Sequence, residues 1–167
     1  MNEQLKRLIL GDRQRISGTV YGTIIVMSVL AAGAKPFEHH LWRLVAVAAV
    51  SVVVLWLAHV YSHGLAESLQ LGRRITVAEL STIARHEYSI VTAAIPPLAA
   101  VGLGAAEVLA EPTAVKLALW LGVVALTTQG IRYARLERLS RSATFITVSL
   151  NLAIGLGLVA LEVLIAH

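Results

Sequence analysis

The chain contains no cysteine. That absence excludes a disulfide framework, a thiolate metal site and a cysteine nucleophile. Charge is scarce too. Asp, Glu, Lys and Arg make up 14% of the 167 residues, against about 25% in an ordinary soluble domain. Enzyme signatures are missing: there is no GxSxG, no P-loop, no Rossmann glycine run and no pair of neighbouring aspartates. The start, MNEQLKRLILGDRQR, mixes acidic with basic residues and leads to no small-residue cleavage site, so it does not match a signal peptide. Neither an internal repeat nor the alternating ten-residue pattern of a membrane barrel occurs.

What the chain has in excess is apolar surface. Hydrophobic residues make up 57% of it, more than the core of a domain this small can bury. The surplus must face an apolar solvent, and a lipid bilayer is one. About 20 apolar residues cross a bilayer as a helix. Five segments qualify: Ile16–Ala34, Leu44–Ser62, Tyr88–Leu109, Thr113–Gln129 and Ala143–Ala166. The expected fold is all-α, a five-span transmembrane bundle over 16–167 behind a basic N-terminal segment, 1–15. Pro96-Pro97 predicts a kink in the third span, since each proline removes a helix hydrogen bond.

Basic residues give the orientation. Eleven of the fourteen Lys and Arg fall in the N-terminal segment, the second connection (Arg73, Arg74, Arg85) and the fourth (Arg132, Arg135, Arg138, Arg141). Lys35, Arg43 and Lys116 are left for the other side. The positive-inside rule then predicts a bacterial inner-membrane protein with a cytoplasmic N-terminus and an extracytoplasmic C-terminus. Basic charge split among three short segments does not point to nucleic acid. The expected surroundings are lipid, with Trp42 and Trp120 toward the outer interface and Tyr133 toward the inner one.

The second connection has its own grammar. Gly72 fits a helix C′ position, where positive φ costs glycine little. Thr76-Val-Ala-Glu79 fits a capping box that starts a new helix. The second helix should therefore run on to Leu71. Pro112 fits the first turn of the helix after Glu111.

The chemistry-bearing candidates sit mostly at the basic end. His59, His63 and Glu67, in LAHVYSHGLAE, follow at four-residue steps and so share a helix face. His86 and Glu87 open the third span on the same side. Two imidazoles and a carboxylate suit zinc or iron, so His59, His63, Glu67 and His86 are metal candidates, with Glu87 as a further carboxylate. The same groups suit a proton path or an ion ligand, with Asn151 of the fifth span added. They equally suit a hydrogen-bonded stripe where a helix leaves the hydrocarbon, Glu67 pairing with Arg73, Arg74 or Arg85. No cofactor and no catalytic residue is implied.

Small residues predict close packing. Gly18 and Gly22 form a GxxxG motif, and Ala100–Gly104 and Ala153–Gly157 repeat the spacing. These serve contacts within the chain or between copies of a homo-oligomer. The YGT of the first span, WLAHVYSHGLAE and RHEYSIVTAAIPP resemble small multi-pass membrane proteins of high-GC Gram-positive bacteria. That resemblance covers most of the chain and brings no activity. The Phe-Ser-Asp signature of the small tetrameric potassium channels is absent, because ISGTVYG follows Arg15. Three functions remain open: a small channel or transporter-like protein for an ion, a non-transporting scaffold or lipid-binding protein, and a metal-dependent membrane enzyme.

Overall fold

A computed structural model describes residues 3–166, with side chains from Asp12 to Ile165. Lys6 and Arg7 lie outside the described side chains, and His167 outside the described residues. The order is α1 (Glu3–Gly33), α2 (Leu41–Leu71), α3 (Val77–His86), α4 (Ser89–Ala105), α5 (Glu111–Leu136) and α6 (Arg141–Ala166), with no strand among the described residues. Four helices are long and apolar enough to cross a membrane: α1 from Asp12, α2, α5 and α6. The pair α3–α4, bent by 41°, passes the same test together, as a broken span or a re-entrant loop, and stands where the third span is expected. The chain is an all-helical membrane-type bundle, as its apolar surplus requires.

The crossing part of the third span is α4, and α3 precedes it as an amphipathic helix with no buried residue. Local rules fix this region. Gly72 closes α2 in the left-handed region at φ 61°. Thr76 and Glu79 form the full capping box: the Thr76 hydroxyl accepts from the Glu79 amide, and the Glu79 carboxylate accepts from the Thr76 amide at 2.7 Å. Arg73 adds a fork to the same carboxylate, at 2.7 and 3.2 Å. Arg73 therefore pairs with Glu79, which lies directly across the turn, and the expected pairing with Glu67 does not form.

The break between the two helices falls ahead of the prolines. α4 runs on through Pro96 and Pro97, and the 41° break falls between His86 and Ser89. Transmembrane helices tolerate proline when neighbouring helices support the freed backbone, and Pro97 is buried among such neighbours. The torsions at the break stay right-handed, φ/ψ −78°/−5° at Glu87 and −62°/−17° at Tyr88. Left-handed residues instead mark three other joints: His39, Glu107 and Arg138.

Helix α4 packs against α1, α2 and α5, and α6 lies outside, mainly on α5. The core is Val26, Met27, Leu30, Leu44, Val52, Ile90, Val101, Leu119 and Leu126, all at most 2% exposed. Lipid tails are as apolar as these side chains, so van der Waals fit must hold the helices together. Glycine provides that fit. A Cβ on Gly18 would collide with the Ser89 hydroxyl, and one on Gly22 with the Ile90 carbonyl oxygen. Gly104 meets Ala114 in the same way. The GxxxG motif thus works inside the chain, between α1 and α4.

On α6, nothing among the described residues lies within 4 Å of a Cβ added at Gly157, so of the two kinds of contact expected of its motif only one between copies is left to it. The packed glycine there is Gly155, whose added Cβ would lie 3.3 Å from Val123 Cα. Two residues are about 200° of helix rotation, so the two glycines face opposite ways.

Two outcomes follow. Gly22→Ala should lower stability in detergent by about 1–3 kcal/mol, the range for overpacking, because a backbone carbonyl cannot rotate away; Gly157→Ala should not lower it. Equal loss in both variants would mean that the α1–α4 contact is loose. The Glu79 carboxyl is held down at about 2 from its ordinary 4.5, by the Arg73 hydrogen bond first and then by Thr76. A lowered value means that its contribution to the cap is complete above about pH 4.5 and is lost as pH falls through about 2. In a variant that keeps Trp56 alone, with Trp42→Phe and Trp120→Phe, emission should show an acid step in that window, and Glu79→Gln should remove it. An identical step in the variant would assign the transition to another group.

Candidate functional site at the broken third span

The break exposes helix ends at depth, and each end needs partners. The Tyr88 amide bonds back to the Arg85 carbonyl rather than to Ala84 one turn below. The Ala84 carbonyl instead accepts from the Trp56 indole of α2 at 3.1 Å. An indole of one helix thus replaces a missing backbone donor of another, and it fixes α3 against α2.

Glu87 stands in the break itself, only 3% exposed. It precedes α4, and a helix N-terminus favours a negative charge beside it. Its Oε1 accepts from Gln14 Nε2 of α1 at 2.8 Å and lies 2.8 Å from His63 Nδ1 of α2. Three helices therefore converge on one carboxylate oxygen. The His63 side chain is half exposed while that of Glu87 is 4% exposed, so the imidazole bridges a buried acid and an open cleft. That cleft, of about 370 Å³, is lined by Gln14, His63, Glu67, Gln70, Ile83 and His86. Two residues past Glu87, the buried Ser89 hydroxyl has no hydrogen-bond partner among the described residues.

The other candidates divide. His59 stands one turn deeper, with Nδ1 3.3 Å from its own helix's Leu55 carbonyl and its ring 4.8 Å from that of Tyr21. The His59 and His63 rings are 6.1 Å apart, edge to face. Glu67 and His86 line the cleft without joining the carboxylate. Among the described residues no three His, Asp or Glu groups stand where they could share a metal ion. His63 and Glu87 turn to each other, His59 turns to its own helix, and the four metal candidates do not meet.

Asn151 lies apart, on α6. Its Nδ2 donates to the Thr147 carbonyl of the same helix at 3.0 Å, and it rests against Gly130 of α5, 3.2 Å from the place of an added Cβ. Among the described residues it bonds no other helix, and it lines a different recess from the one into which His63 opens. Thr19, Thr23 and Ser28 likewise bond carbonyls of their own helix four residues back. Gln14 was not singled out from sequence. The signal was there: Gln14, Gly18 and Gly22 share one face at four-residue steps, so the residue one turn before a packing glycine points at the same neighbour.

No protein-family model, no curated protein and no solved structure matches the chain. The functional reading rests on this geometry.

His63→Ala leaves the buried carboxylate with one named donor fewer, and should cost about 1–3 kcal/mol of stability. His86→Ala, which removes no hydrogen bond among the described residues, should stay within about 0.5 kcal/mol of the parent. Matched denaturation curves in one detergent would decide; comparable losses would contradict a special role for the His63–Glu87 pair.

Proposed function

We propose that the chain is a small inner-membrane channel or transporter-like protein that takes a proton or small cation from the cytoplasm at Glu87. The observation that carries this reading is the burial of Glu87 at a break in a membrane-spanning helix, joined to open solvent through His63. Ionisable groups inside a bundle are costly and tend to mark ion or proton pathways. Broken helices are a recurrent place for them, because half-helix ends offer partial charges. An imidazole suits the relay: one ring nitrogen faces Glu87, and the half-exposed ring presents the other to the cleft.

The positive-inside bias supports a cytoplasmic position for this end. The homo-oligomer expected from sequence belongs to the same proposal. Apolar side chains on α2 and α6 remain exposed, among them Val50, Val54, Phe145 and Leu164.

A second reading, a scaffold or lipid-binding protein without transport, is favoured by one feature. Beyond the site the bundle is closed by Val26, Met27, Leu30, Leu119 and Leu126, each at most 1% exposed. Passage through one chain would require that core to open. A metal-dependent enzyme has no comparable support, since its ligands do not converge.

Purified protein in proteoliposomes with an internal pH dye, given a potassium-diffusion potential, should carry a proton current, and Glu87→Gln should reduce it at least about tenfold while the fold is retained. Substituting sodium and potassium gradients tests the cation form. No flux of any of these ions through the parent protein would overturn transport and leave the scaffold reading.

A further inference from the structure

A second recess lies between α1, α5 and α6, apart from the Glu87 carboxylate and lined in part by Asn151. Its volume is about 380 Å³. One wall is a single face of α1, from Arg13 through Ile16, Val20 and Ile24. Eleven residues of helix are about 16 Å long, roughly one leaflet of a bilayer whose hydrocarbon is about 30 Å thick. Spread over that length, the volume gives a section of roughly 24 Å². That is the girth of one extended hydrocarbon chain, and far less than a helix about 10 Å across requires.

The recess is polarised along its length. The deeper part is mostly apolar, with Val20 and Ile24 on one wall, and Asn151 adds one amide that bonds back to its own helix. The mouth carries Arg13, with Tyr133 beside it, and four more arginines follow in the end of α5, the connection after it and the start of α6: Arg132, Arg135, Arg138 and Arg141. Glu137 is the acidic residue among them, and it holds Arg13 through Nε at 2.6 Å and Nη2 at 2.9 Å. A guanidinium has five N–H donors, so this fork orients Arg13 and leaves the far edge of the group for another anion.

We propose that this recess holds one acyl chain of an anionic phospholipid from the basic-side leaflet, its phosphate against the far edge of Arg13. The length matches one leaflet, the section matches one chain, and the surplus positive charge at the mouth matches an anionic headgroup. Basic recesses between transmembrane helices at the cytoplasmic side are a recurrent form of such sites. This site is independent of Glu87 and stands whether or not the protein transports.

Native mass spectrometry of the full chain, released from micelles that contain equal phosphatidylglycerol and phosphatidylcholine of the same chain length, tests the proposal. The parent should keep one phosphatidylglycerol per chain, preferred about fivefold, the effect of about one basic residue near the membrane surface. Arg13→Gln should abolish the preference, and Arg13→Lys, which keeps the charge, should retain most of it. Val20→Phe, which fills the recess, should reduce retention of both lipids; Ile24→Phe repeats the test should Val20→Phe fail to fold. Equal retention of the two lipids by the parent, or a preference that survives Arg13→Gln, would overturn the proposal. Loss of lipid retention in favour of a dimer that Val20→Phe dissolves would overturn it too, in favour of a second copy of the chain.

Discussion

The approach of α1 to α4 is the contact on which the rest depends. At Gly22 the backbone of α1 lies against the Ile90 carbonyl with no room for a Cβ, and at Gly18 it lies over the Ser89 side chain. Two turns earlier on the same face, Gln14 reaches Glu87. One helix face therefore does two jobs, packing along its glycines and hydrogen bonding at its glutamine. A hydrophobic drive cannot impose this register inside lipid. Shape does, and moving α1 away by the width of a methyl group would also withdraw a donor from a carboxylate that water barely reaches.

Polarity is distributed unevenly along the bundle. Glu87, His63, Gln14, Trp56 and the capped start of α3 gather at the basic end. The middle is filled by Met27, Leu30, Leu119 and Leu126. At the opposite end a smaller polar clasp forms, where the His39 amide donates to Glu111 at 3.0 Å. The charged groups thus stay at the two ends or in hydrogen-bonded pairs. Because the low-dielectric middle strengthens any interaction near it, the few polar bonds at its basic margin carry more weight than equal bonds at a wet surface.

Sequence disclosed what local physics decides. The four long apolar helices and the bent pair, the continuation of α2 to Leu71, the left-handed Gly72 and the Thr76–Glu79 box all follow from length, composition or contacts a few residues apart. The His63–Glu87 meeting was half legible, since both residues were expected at one end but not as a pair. What escaped depends on distant partners. The break settled at Glu87 rather than at Pro96-Pro97, in a segment where Trp56, twenty-eight residues before Ala84, donates to the carbonyl left over. Small residues on α6 announced close packing, yet choosing Gly155 over Gly157 required knowing which side α5 occupies. Arg73 chose Glu79 over Glu67 because the turn at Gly72 brought the former within its reach.

The torsions at the break carry a mechanical consequence. The regular helix has ψ near −42°, and Glu87 and Tyr88 stand at −5° and −17° without leaving the right-handed region. The joints at His39, Glu107 and Arg138 hold φ of 64°, 60° and 51°, and to straighten them each residue would have to cross a steric barrier. The third span differs in kind. Rotations of a few tens of degrees at two adjacent residues, within one allowed region, would turn its two pieces into one straight rod, with short turn bonds such as Tyr88 to Arg85 exchanged for helical ones. The bend is held from outside, by an indole, an imidazole and an amide on neighbouring helices, so the curvature of this span reports on the state of side chains that do not belong to it.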